Sequence, residues 1–185
     1  MKIVGQEVLE TAALTLSSAV LFVGFFHFNG WLFAELAYSQ GINWVFLPAG
    51  FRIVLVLILG LPGAAGITLG TWFLGQDAAS SDVELVFLNG IVSGITPFLV
   101  MKVLGKGQRT SGLLQSMTTQ RLLNFTLIFA AANSVTHHVV WLLMARADVN
   151  IWVDVWPMFI GDAIGALLML YGFKLLLTQI KFKAL

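Results

Sequence analysis

The chain has no cysteine. Disulfides, thiolate metal sites and cysteine nucleophiles are therefore excluded. Charge is scarce as well. Asp, Glu, Lys and Arg make up 10% of the 185 residues, against roughly 25% in ordinary globular chains. So few charges cannot coat a water-soluble domain of 20.2 kDa. The net charge is only +1, with no basic stripe, which excludes a nucleic-acid reader. No segments alternate apolar with polar over the ~10 residues of a barrel strand. There is no nucleophile–base constellation and no carboxylate pair deep in an apolar run. Gly105-Lys106-Gly107 lacks both Walker spacing and a preceding strand, so it reads as a basic turn. An enzyme is the least expected class.

What is abundant is hydrocarbon. Hydrophobic residues make up 58% of the chain, and mean hydropathy is +0.91. This composition predicts an all-α, polytopic membrane bundle forming one transmembrane domain over residues 1–185. Charges and turn residues divide the sequence into about six apolar segments. They run near Ala12–Leu36, Trp44–Leu61, Pro62–Gly75, Leu85–Leu104, Leu122–Met144 and Val155–Leu177. In lipid each backbone group must be satisfied within its segment, so these are helices. The first is ~20 residues of apolar run with no cleavage motif, and reads as a retained span rather than a signal peptide. The second and third are short or irregular. The third reaches only about 21 Å, less than the ~30 Å hydrocarbon core. It is either a distorted span or half of a re-entrant pair with the second.

Charge asymmetry gives orientation. The loop between the fourth and fifth segments and its flanks hold Lys102, Lys106, Arg109 and Arg121 with no acid. The C-terminus holds Lys174, Lys181 and Lys183 with no acid. The opposite loops hold Glu35, Asp77, Asp82, Glu84, Asp148 and Asp154 against Arg146. The positive-inside rule places both termini and the 105–121 loop in the cytoplasm. All six tryptophans fall at the opposite ends, the interfacial position tryptophan prefers. Glycine pairs at i,i+4 (Gly66/Gly70, Gly90/Gly94 and Gly161/Gly165) permit close helix approach. They predict a tight bundle, or a face for another subunit.

Ionisable groups inside spans are costly and are functional candidates by default. Arg52, Asp162, His137, His138 and His27 all fall in the outer third of their segments, and Asn133 lies one turn below His137. Arg52 does not readily lose its charge. Asp162 is the one acid well inside a span, so an Arg52–Asp162 pair is expected. The pair either locks two helices or belongs to a polar pocket with His137, Asn133 and His27. His137 and His138 point about 100° apart on a helix, so one of them faces the bundle centre with Asn133. Ordinary core histidines, ligand contacts and haem ligation all remain open, with a tetrapyrrole contact through His27 or His138 the cofactor case. No metal site is expected, because no His-x-x-x-His or Glu-x-x-His spacing occurs. Pro48 and Gly50, just ahead of Arg52, suit a first helical turn. That turn is an anion-binding N-terminus or a bend above the short third segment.

Trp44-Val45-Phe46-Leu47-Pro48-Ala49-Gly50, the Pro62-Gly63 turn and the Gly-rich helix after it resemble the membrane-associated sensor domain of the first type. So does Phe159-Ile160-Gly161-Asp162-Ala163-Ile164-Gly165. The resemblance spans about half the chain. It implies a sensory module of the bacterial inner membrane, normally fused to a histidine kinase or diguanylate cyclase. Members of that family usually have about eight spans, and no output domain follows here. The expectation is thus a stand-alone version that acts through a partner, docked in the membrane or on the 105–121 loop. Two other classes fit the residues. One is an accessory subunit of a respiratory or photosynthetic membrane complex. The other is a substrate-binding subunit of a transporter.

Overall fold

Long apolar runs have one local way to satisfy their backbone in lipid, and these runs take it. The protein is described from a computed structural model, which covers residues 2–39, 41–77, 82–104, 118–146 and 150–183. Six helices occur among them: α1 (Lys2–Leu32), α2 (Leu47–Leu59), α3 (Leu61–Leu74), α4 (Val83–Leu104), α5 (Thr119–Leu143) and α6 (Ile151–Lys183). Helices α1, α4, α5 and α6 are long and apolar enough to cross a membrane. Helices α2 and α3 have 13 and 14 residues, which reach only about 20 Å each. Between α1 and α2 lies a small antiparallel hairpin that was not expected. It pairs β1 (Ala37–Ser39) with β2 (Ile42–Asn43) across Gly41, whose φ is +86°.

Helix α2 is the centre of the bundle. It packs on α1, α3, α4 and α6, and every residue from Leu47 to Leu57 is buried. Only a helix apolar on nearly all faces suits that position. The others follow one another around it, α1 on α3, α3 on α4, α4 on α5 and α5 on α6. Phe22, Val56, Ile67, Phe129, Ala166 and Leu170 form the dry interior. The outside is apolar too, with Leu16 and Val20 of α1, Leu99 and Val103 of α4, and Leu168 and Leu175 of α6 exposed. Such a surface suits lipid and not water.

Gly60 turns the chain sharply from α2 into α3 at φ +64°. Its N–H donates to the Val56 carbonyl at 2.8 Å. Pro62 sits in the first turn of α3, where its missing N–H removes one orphan donor. The Ser18 hydroxyl of α1 donates to the Gly63 carbonyl at 3.0 Å. No residue from Ile53 to Ile67 is polar.

The three glycine pairs all face inward, so none is left for another subunit. Gly66 and Gly70 meet Ser18 and Phe22 of α1, while Gly90 and Gly94 meet Trp72 and Thr68 of α3. Gly161 and Gly165 meet the backbone just ahead of α2 and at its first residue, Leu47. A Cβ on either would collide with a backbone carbonyl, Asn43 O or Phe46 O, in the segment that leads into α2.

Candidate functional site

That segment sets the depth of the site. The Phe46 N–H donates to the Gly161 carbonyl at 3.1 Å. The Leu47 N–H donates to Asn29 Oδ1 at 2.9 Å. Asn29, at the end of α1, is 3% exposed. The start of α2 is thus capped from within the bundle. Its Ala49 N–H is also taken, by Phe46 O at 3.1 Å. Of the two alternatives for the turn at Pro48 and Gly50, these bonds favour the bend, since the N–H groups of Leu47 and Ala49 are already taken. Pro48 lies in the first turn, as expected, and Gly50 lets α2 lie against Ala166 and Met169 of α6.

Arg52 follows one turn later and is 5% exposed. Its guanidinium lies between the Phe22 and Phe46 rings, 5.2 and 5.4 Å from their centroids. Nη1 donates to Asn133 Oδ1 of α5 at a long 3.5 Å, and Nε has no partner. Asn133 in turn donates through Nδ2 to Asp162 Oδ2 of α6 at 2.6 Å. The structure thus places the expected partners together but corrects the direct pair. The Asn133 amide stands between cation and acid, reading one with its oxygen and the other with its nitrogen. Asn133 and Asp162 are 0% and 1% exposed.

His137 extends the cluster toward α4. Its Nδ1 bonds the Asn133 carbonyl at 3.0 Å. A carbonyl only accepts, so Nδ1 carries the proton and the Ser93 hydroxyl donates to Nε2, at 3.3 Å. This is one rung of a polar seam between antiparallel α4 and α5. Asn89 Oδ1 accepts from Trp141 Nε1 at 3.0 Å, and Thr96 meets Thr136 at 3.2 Å. Asn89, Ser93 and Thr96 are spaced i, i+4, i+7, which is one helix face. That spacing was the available signal for Ser93 and Thr96, which sequence reasoning passed over. Pro97 also removes the N–H that would have bonded the Ser93 carbonyl.

Two adjoining cavities meet at Arg52. The larger, about 640 Å³, lies at the tryptophan-rich end of the bundle, with Gly41, Gly75, Asp82 and Arg146 in its wall. It reaches inward between Phe22, Phe26 and Trp141. The inner chamber, about 140 Å³, is lined by Arg52, Asp162, His137, Ser93 and Asn43 among others. Arg52, Asn89, Thr71 and Trp141 line both. By residue rise, His137, Ser93 and Asp162 lie roughly 9–16 Å below the helix ends on that side.

His27 is not part of the site. It is one residue on from Phe26, which lines both cavities, and the turn of about 100° puts it on the exposed face of α1. His138 is buried elsewhere. Its Nδ1 donates to the Ser134 carbonyl at 2.8 Å and its Nε2 has no partner. The cavity beside it is about 60 Å³, room for about two waters. Among the described residues no cluster of His, Asp and Glu could hold a metal ion. Most of the 105–121 loop, Lys106 and Arg109 included, lies outside the described residues.

No family model, curated protein or solved structure matches the chain.

Proposed function

We propose that this chain is a membrane-embedded ligand-binding module of the sensory kind, reading a small polar molecule that enters from the tryptophan-rich side. One observation carries the reading. A buried cation with an unpartnered Nε and a buried acid line a chamber that adjoins a larger cavity at one end of the bundle. Ionisable groups inside a membrane bundle that line a cavity are functional-site candidates by default, and a concave, mostly apolar pocket with a few convergent polar groups suits a small ligand.

In this reading the basic end is cytoplasmic, and four helices span the membrane of a bacterial cell. Helices α2 and α3 form a re-entrant hairpin. Ser18 is seven residues past Thr11, where the apolar run of α1 begins, so the Gly63 carbonyl it holds lies about 10 Å deep. The wholly apolar turn at Gly60 then ends inside the bilayer. Helix α6 supplies the output. Its 33 residues reach about 50 Å, well beyond the hydrocarbon core, and they join Asp162 to the lysine-rich end where a partner would dock. The re-entrant hairpin beside the cavity also favours a second reading, capture of a substrate for a transporter, in which Arg52 and Asp162 hold the cargo.

The test is thermal melting of the purified protein in lipid nanodiscs against a broad panel of small acids, amines, zwitterions and sugars. At least one compound should raise Tm in the wild type and leave Ser93→Phe, which fills the inner chamber, unmoved. If no compound moves Tm and other membrane subunits co-purify in stoichiometric amount, the accessory-subunit role replaces this one.

A further inference from the structure

The inner chamber offers two opposite charges that do not neutralise each other directly. Arg52 and Asp162 lie at the two ends of one amide. They are therefore farther apart than an ion pair but within about 8 Å. Asp162 accepts one hydrogen bond, on Oδ2 from Asn133, and among the described residues Oδ1 accepts none. Arg52 gives one long hydrogen bond and leaves Nε unpartnered. Both side chains line the same chamber. Each therefore keeps unused hydrogen-bonding capacity, and the two charges are too far apart to satisfy each other directly.

A lone anion bound at Arg52 would meet the Asp162 carboxylate. A lone cation at Asp162 would meet the guanidinium. A ligand with both charges one carbon apart meets neither problem. Its carboxylate faces Arg52, its ammonium faces Asp162, and it closes the gap on the side opposite Asn133 with two charge-assisted hydrogen bonds. The chamber volume of about 140 Å³ equals that of about five waters. That suits the five heavy atoms of such a head group. The larger cavity beyond has apolar walls at Phe22, Phe26, Leu74, Leu85, Val86 and Trp141. A side chain leaving the head group would lie there.

We infer that the ligand is a zwitterionic α-amino acid with an apolar side chain, its head group held between Arg52 and Asp162. This inference rests on the ligand-binding reading above and narrows it.

The experiment uses the full chain in nanodiscs and the apolar L-amino acids, each beside its deaminated acid and its decarboxylated amine. Binding is read by calorimetry and by Tm. At least one amino acid should bind, and each of its singly charged counterparts should bind roughly 10- to 100-fold more weakly, the loss of one charge-assisted bond. Equal binding by the acid alone would overturn the zwitterion and leave a general anion site. Equal binding by the amine alone would do the same for a cation site. If no amino acid binds while another class in the metabolite panel does, the inference fails and the ligand-binding reading stands. The analogue series needs no variant. The double variant Arg52→Met/Asp162→Asn, which strands no charge, should lose binding while still melting cooperatively. Retained binding in that variant would place the ligand elsewhere.

Discussion

Asp162→Asn removes the acid from a chain of three buried polar groups and leaves Arg52 charged. Arg52 cannot turn out to the lipid face, because α2 is enclosed along its length from Leu47 to Leu57; the space open to it is the pair of cavities it already lines. The separation of Arg52 and Asp162 is bounded by the Asn133 bridge at between 4 and about 8 Å. At an effective dielectric of about 20, opposite charges at that range attract by about 2–4 kcal/mol. The single variant should therefore lose about 3 kcal/mol or more, in line with other stranded buried charges. Adding Arg52→Met should return part of that loss, since the pair then holds no charge and Met fills the space between Phe22 and Phe46. The assay is reversible unfolding in mixed micelles with increasing denaturing detergent, run on wild type, both single variants and the double. The coupling term in this cycle should be near 3 kcal/mol. Losses that simply add, to within about 0.5 kcal/mol, would refute the idea that the two charges hold each other through Asn133.

Two further outcomes test packing and topology. Gly161→Ala and Gly165→Ala should each destabilise the protein by about 2 kcal/mol or more, because backbone must move; Gly24→Ala, with nothing within 4 Å of its added Cβ, should be neutral or gain up to about 1 kcal/mol, and the same unfolding assay reads all three. Cysteines at Gln76 and Asn150 should react with a membrane-impermeant maleimide from one side of the membrane and one at Gln120 from the other, while cysteines at Ile58 and Leu61, exposed on the protein, should react from neither; labelling of Ile58 from the Gln120 side would make α2 and α3 full spans.

Much of this architecture was legible because lipid leaves few options. Apolar run length found the four long helices, closely for α4 and α5, while α1 starts ten residues ahead of the expected Ala12; it also marked the third segment as too short. The convergence of Arg52, Asn133, Asp162 and His137 was readable from their shared depth and the rarity of charge in spans. Asn29, Ser93 and Trp141 were not singled out. Asparagine, serine and tryptophan are ordinary in membrane helices, and their importance comes only from which face meets which neighbour. The direct ion pair was expected because charge outranks amide dipole in a list of residues. Space decided otherwise, since the Asn133 amide reaches in from α5 and bonds both side chains where α2 and α6 pack together. The recessed start of α2 was hidden for a similar reason. It depends on two glycines of α6, more than a hundred positions away, letting a strand of backbone pass.

The central position of α2 has a consequence for biogenesis. This helix carries the most expensive charge in the chain, yet its bridging partner Asn133 lies 81 positions later, and Asp162 later still. While α5 and α6 are being synthesised, Arg52 has no acid to answer it, and a 13-residue helix is too short to hold a place across the bilayer by itself. In the proposed re-entrant topology, the α2–α3 hairpin would seat itself only when the last two helices arrive. A chain truncated before α6 would keep an unanswered guanidinium at its heart, an internal mark of incompleteness that quality-control proteases can read.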